Sequence, residues 1–197
     1  MNMNVEFIKG IIGTDPIITD TKPQIVFIGR SNVGKSSVIN ALVGEKIARS
    51  SSTPGKTREI NFFLVKKKKY LVDLPGYGYA KVSEKHREKL KKHILWYMFE
   101  SGAPIHRIIL IVDTRVGITS FDEEILRALF DHEIPVTLVA NKIDKLTQKE
   151  MHLARTRFEK QGLKKEDIIW MSAKTGKGKG DLRLFLEMEF GKEKKLS

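Results

Sequence analysis

Residues Gln24–Ser36 read QIVFIGRSNVGKS, and this stretch decides the fold. Gln24–Ile28 is a short apolar run without alternation, the pattern of a strand buried on both faces. Gly29–Ser36, GRSNVGKS, has the full spacing of a phosphate-binding loop. A helical pattern follows from about Gly34 to Val43. In that order, strand, loop and helix curl backbone N–H groups and a helix N-terminus around a phosphate. Lys35 is expected to reach the terminal phosphates, and the Ser36 hydroxyl to bind a magnesium ion. A glycine-rich turn without phosphate is the alternative, and the strand–loop–helix context argues against it.

Outward from this stretch the same grammar recurs. Ile60–Val65 and Tyr70–Val72 read as strands joined across Lys66–Lys69, a hairpin. Arg107–Val112, Val136–Ala140 and Ile168–Met171 read as buried strands. Helical patterns cover Ser83–Phe99, a segment ending near His132, one ending near Gln161, and Asp181–Phe190. Ser120 with Glu123, and Thr147 with Glu150, have capping-box spacing at the starts of the middle two. Apolar strands alternating with helices predict an α/β three-layer sandwich. Its sheet is expected to have six strands, mainly parallel, with one antiparallel strand from the hairpin. Residues 1–22 are expected to pack as an extension on a domain spanning 23–197.

Ligands of such sheets bind at the carboxyl ends of the strands, and three further motifs follow strands, while a fourth lies between the first helix and the second strand. DLPG, Asp73–Gly76, comes directly after Val72. Asp73 can hold magnesium through water, and the Gly76 N–H can sense a terminal phosphate. NKID, Asn141–Asp144, follows Ala140. The Asp144 carboxylate can accept two hydrogen bonds from guanine N1–H and its exocyclic amine, donors that adenine lacks. SAK, Ser172–Lys174, is positioned to close over the base. Thr57, in TPGKTREI, is a candidate second magnesium ligand that engages with the third phosphate; a turn-forming Thr is the alternative.

Composition bounds the partners. The 197 residues carry 36 Lys and Arg against 24 Asp and Glu, a formal charge of +12 and a pI near 9.8. That excess suggests a polyanion, most plausibly nucleic acid, against the alternative of a merely solubilising surface. Lys81, Lys85, Arg87, Lys89, Lys91 and Lys92 cluster at the start of the Ser83 helix, and Lys66–Lys69 form a second basic site. With no cysteine, disulfide and thiolate chemistry are excluded. No apolar run approaches the ~20 residues needed to cross a bilayer, and Met1–Gly10 lacks the signal-peptide pattern. A cytoplasmic monomer without membrane contact is expected.

GRSNVGKSS, TPGKTREINFF, DLPGYGYA, NKIDK and SAKTGKG together resemble the EngB-type bacterial family of ribosome-biogenesis GTP-binding proteins, in the translation-factor class of P-loop GTPases. The resemblance covers Gln24 onward and implies a Ras-like fold, magnesium, GTP hydrolysis and help in assembling the large ribosomal subunit, on rRNA. It also implies a requirement in normal cell division and septation. The nucleotide site it implies comprises Gly29, Arg30, Ser31, Asn32, Val33, Gly34, Lys35, Ser36 and Ser37. Gly55, Lys56, Thr57, Arg58 and Glu59 join from the second motif, and Asp73, Leu74, Pro75 and Gly76 from the third. Asn141, Lys142, Ile143, Asp144, Ser172, Ala173 and Lys174 complete it. Lys35, Thr57 and Gly76 are the expected catalytic group; Ser36, Thr57 and, through water, Asp73 the magnesium group.

Ras-like enzymes carry a Gln after Asp-x-x-Gly to orient the attacking water; here Tyr77 stands there. Slow intrinsic hydrolysis is therefore expected unless a partner or ion contributes. Asn32 resembles the asparagine that coordinates potassium in related GTPases; stabilising the loop is its other reading. A metabolic P-loop kinase is the competing enzyme class, disfavoured by NKID and by the lack of an evident acceptor lid. A division scaffold with a conformational GTP site is the competing non-enzymatic reading.

Overall fold

A computed structural model describes residues 3–48, 59–78 and 83–191. Its strands are β1 (Val5–Ile11), β2 (Gln24–Gly29), β3 (Ile60–Val65), β4 (Lys69–Asp73), β5 (Ile105–Asp113), β6 (Val136–Asn141) and β7 (Ile168–Trp170). Its α-helices are α1 (Lys35–Val43), α2 (Glu84–Phe99), α3 (Ser120–Asp131), α4 (Gln148–Lys160) and α5 (Lys179–Gly191). The sheet order is β1-β3-β4-β2-β5-β6-β7. β3 pairs antiparallel with both β1 and β4, and the remaining pairs are parallel. β3 is therefore the one strand that runs against the others, as expected.

Seven strands replace the expected six. The addition is β1, which lies along β3 with a register shift between Phe7 and Lys9. That bulge breaks the period-two alternation by which a strand is recognised. Behind β1, Ile11, Ile17 and Ile18 enter the core, and buried Gln24 donates to the Ile18 carbonyl at 2.8 Å.

The central strands sort their side chains by parity. Val26 and Ile28 of β2, with Ile108, Leu110 and Val112 of β5, face Ile94 and Tyr97 of α2, Ile125 and Leu129 of α3 and Phe158 of α4. Ile25 and Phe27, with Ile109 and Ile111, face Val38, Ile39 and Leu42 of α1 and Leu182 and Leu186 of α5. Both faces are covered, so these strands read as unbroken apolar runs and the domain has three layers.

Two local expectations shift. The α3 capping box uses Thr119 and Asp122, one residue earlier than Ser120 and Glu123; the Thr147–Glu150 box of α4 stands as read. The basic hairpin tip is Lys66–Lys68, because Lys69 is buried and donates to the Glu189 carbonyl at 3.0 Å.

Candidate nucleotide site

Every described motif segment emerges at the carboxyl end of a parallel strand. β2 runs into Gly29, and the chain turns through Asn32 (φ 68°) and Gly34 (φ 95°) before α1 starts at Lys35. Gly34 has a second constraint besides its left-handed backbone. A Cβ there would lie 2.5 Å from the Asn141 amide nitrogen, so only glycine lets the loop pass the base-side motif. Val33 is buried, Arg30, Ser31 and Ser36 are half-buried, and Asn32 and Ser37 are exposed.

Lys35 is buried, and its ammonium donates to the buried Asp73 carboxylate at the end of β4. Burial pushes the Asp73 carboxyl up, against the pull of Lys35. The Ser36 hydroxyl makes no hydrogen bond to the described residues. No group of three or more His, Cys, Asp or Glu that could hold a metal occurs among the described residues. The donors here, a hydroxyl and one carboxylate beside a phosphate loop, are hard oxygens. They suit magnesium, which keeps several waters and shares phosphate oxygens instead of demanding an all-protein cage.

Beyond Asp73 the chain stays alongside the phosphate loop. Leu74 N–H donates to the Phe27 carbonyl at 3.1 Å, and Ser31 N–H to the Tyr77 carbonyl at 2.6 Å. The Ser31 hydroxyl donates to the Gly76 carbonyl at 3.1 Å. Leu74 and Pro75 are buried. A Cβ on Gly76 would press the Ser31 backbone at 3.3 Å, which explains the glycine by close approach.

Tyr77, at the position of the missing Gln, is 1% exposed. Its hydroxyl donates to Asp122, the same carboxylate whose other oxygen accepts the Thr119 N–H at 2.8 Å to cap α3. Its ring stands edge-on to Phe121, centroids 4.9 Å apart. Burial first, then the Asp122 charge, pushes the Tyr77 phenol well up, so it remains a neutral donor at physiological pH.

The base side is assembled from β6 and β7. Buried Asn141 donates through its amide to the Val33 carbonyl at 2.9 Å and accepts the Ala173 N–H at 3.0 Å. Lys142 (φ 69°) sends its ammonium to the Asn32 carbonyl and to Asp113, 2.9 Å away. Ile143 N–H donates to the Met171 carbonyl at 3.3 Å. Asp144 is exposed, and the buried Ser172 hydroxyl donates to its Oδ1 at 2.6 Å. Lys174 is exposed and half-buried Ala173 lies beside it.

The structure thus gathers Gly29–Ser37, Asp73–Gly76, Asn141–Asp144 and Ser172–Lys174 at one end of the sheet. Gly55, Lys56, Thr57 and Arg58 lie outside the described residues. Glu59 is placed elsewhere: it is exposed, with its carboxylate over Gly10 of edge strand β1, where a Cβ would meet it at 2.7 Å. Sequence reasoning missed Asp113 and Asp122. Asp113 ends a buried strand, the position that marked the phosphate loop, DLPG, NKID and SAK, and that was the signal available. Asp122 had only its capping-box spacing from Thr119, and nothing local pointed to Tyr77, 45 residues distant.

A Ras-like sheet with a phosphate loop, an Asp-x-x-Gly turn and an Asn-Lys-x-Asp base loop at its carboxyl ends defines a P-loop GTPase. The 50S ribosome-binding GTPase family matches residues 24–142, more than half of the chain, and the elongation factor Tu GTP-binding domain family matches residues 97–190. A probable GTP-binding protein EngB of Aquifex aeolicus is 45% identical over 161 residues, covering 81% of this chain and 87% of that relative. The EngB of Chlorobium luteolum is 40% identical over 181 residues, covering 91% and 87%. A crystal structure of a probable GTP-binding protein EngB superposes with a TM-score of 0.71 at 27% identity, covering 86% of this chain and all of that one. The chain belongs to the EngB family of GTP-binding proteins.

Proposed function

We propose that this GTPase is a slow, nucleotide-controlled switch that binds the large ribosomal subunit and serves its assembly. The observation that carries the reading is the surface of α2. Lys85, Lys89 and Lys92 are all exposed, and their spacing sets them on one helix face. Arg87 and Lys91 are half-buried on other faces of the same helix, Lys91 with its ammonium 4.5 Å from the Phe121 ring centre; Lys81 lies outside the described residues. The helix begins seven residues after Tyr77, so the segment that faces the phosphates leads into the basic face. Such a row of cations fits an RNA backbone. The family description, which names 50S ribosome binding, supports the same partner.

In this reading Lys35 and the loop N–H groups bind the phosphates, Asp144 reads guanine, and Ser172–Lys174 close over the base. Ser36, Thr57 and, through water, Asp73 hold magnesium, which offsets phosphate charge during hydrolysis. Gly76 senses the third phosphate. Tyr77, buried against α3, leaves no side chain at its position to orient water, which supports a low intrinsic rate. Potassium at Asn32 would raise that rate above the rate in sodium. The protein acts as a cytoplasmic monomer, and the family resemblance implies a requirement in normal cell division and septation.

Changing Lys85, Lys89 and Lys92 to Glu tests the reading. Co-sedimentation with large subunits in a non-hydrolysable GTP analogue should fall at least tenfold, as phosphate contacts are replaced by repulsion. GTP affinity should stay unchanged. Wild-type co-sedimentation by the triple variant would move the binding face elsewhere.

A further inference from the structure

Asp113 lies at the end of β5, directly opposite Asn141 in the β5–β6 register. Its side chain is 8% exposed. The carboxylate has a local partner and a distant one. Oδ1 accepts the Arg115 N–H at 3.0 Å, a turn two residues long, and the exposed Arg115 guanidinium reaches Oδ1 at 3.4 Å and Oδ2 at 3.3 Å. Oδ2 accepts the Lys142 ammonium at 2.9 Å, across 29 residues of sequence. That ammonium also donates to the Asn32 carbonyl in the phosphate loop. Burial works to raise the Asp113 carboxyl, but hydrogen bonds from Arg115 and Lys142 outweigh it and hold it below the usual range.

We propose that Asp113 is a positioning residue for guanine nucleotide: acting through Lys142, it clamps the base-reading loop to the phosphate loop. A free lysine side chain loses rotamer entropy when it is ordered. With Asp113 holding the ammonium, that ordering occurs on folding and is not charged to nucleotide binding. The clamp also fixes where the Asn32 carbonyl points, and so the shape of the loop that receives the phosphates. Backbone supports the same corner. The Thr114 N–H and hydroxyl both donate to the Asn141 carbonyl, at 2.9 and 2.7 Å, and Arg157 donates to the carbonyls of Thr114 and Arg115. The inference rests on guanine-nucleotide binding alone and is independent of the ribosomal partner.

Asp113→Asn removes the charge that holds Lys142 and, with it, the ion pair to the exposed Arg115 guanidinium; Arg115→Ala is the control for the second loss and should bind GDP as wild type does. In Asp113→Asn the amide oxygen can still accept the Arg115 N–H, while the NH2 group would face the Lys142 ammonium. GDP binding to Asp113→Asn, Lys142→Met and the double variant is measured by calorimetry, with kcat and KM for GTP hydrolysis and the melting temperature of each protein. Asp113→Asn and Lys142→Met should each bind GDP roughly tenfold to a hundredfold more weakly, the range for a lost charge-assisted hydrogen bond. The double variant should be no weaker than Lys142→Met, because the carboxylate has nothing left to position. KM should rise in Asp113→Asn while kcat stays within about threefold of wild type. Should Asp113→Asn fail to fold, Asp113→Ser, which keeps an acceptor for the turn, carries the same cycle. Wild-type GDP affinity in the folded Asp113 variant overturns the proposal, and so do losses that multiply in the double variant.

Discussion

The two halves of the nucleotide site are held in different ways. On the base side each reading side chain has its own partners: Asn141 on Val33 and Ala173, Lys142 on Asp113 and Asn32, Asp144 on Ser172. On the phosphate side, Leu74–Gly78 follows the phosphate loop through a few backbone bonds, and its own side chains make a single long-range hydrogen bond among the described residues, Tyr77 to Asp122. In the proposed reading guanine does not change during the GTPase cycle, and the side chains assigned to it are built into the fold. The third phosphate does change, and the segment proposed to face it follows the phosphate loop through contacts that can be exchanged.

Breaking the base side should have the largest effect. In Asp144→Asn the amide oxygen can keep the Ser172 hydroxyl, which turns the NH2 group toward the guanine donors. GTP affinity should fall on the order of 10³-fold, because a site built around an acceptor rejects what cannot satisfy it. Xanthosine nucleotides should gain. Competition between GTP and XTP for the variant reads this, and undiminished GTP binding would remove Asp144 from the base site.

Lys35→Ala attacks the phosphate side and should cost about a hundredfold in GTP affinity, as a charge-assisted contact is lost. The loss should be smaller for guanosine, which carries no phosphate to meet the ammonium. Equal losses for the nucleotide and the nucleoside would mean that Lys35 acts through general folding.

Tyr77→Phe sharpens the comparison with the smallest effect. It leaves a buried Asp122 oxygen without its donor, a cost of about 1–3 kcal/mol. For a domain of this size that lowers the melting temperature by roughly 3–10 °C. Amide exchange at Leu74–Gly78 should quicken, with exchange at Asn141–Asp144 unchanged. Faster exchange at both would show that the halves are not separately fastened.

Much of this was legible because it is local. The unbroken run Gln24–Ile28, the glycine spacing after it and the helix beyond specify one another within about twenty residues. NKID and DLPG are short motifs that meet the rule that ligands gather at strand ends. What escaped was carried by distant pairs. In TSFDE, Thr119–Asp122 and Ser120–Glu123 both fit a capping box. The structure uses the first, in which Asp122 is also the acceptor for Tyr77. β1 escaped because its bulge and Gly10 disturb the alternation that marks a half-buried strand. Asp113 carries no motif; its role depends on where Lys142 arrives.

β1 also has a consequence in time. Val5 pairs with Val65 and Ile11 with Ile60, so among the described residues this strand has its one neighbour in the sheet some fifty to sixty residues downstream. At a synthesis rate of about 5–20 residues per second, it waits several seconds for that neighbour, with Phe7, Ile8 and Ile11 unprotected. Glu6 and Lys9 interrupt the run, and charges of this kind discourage pairing with stray chains. The edge strand that completes the sheet is thus also the segment of the nascent chain with most need of gatekeepers.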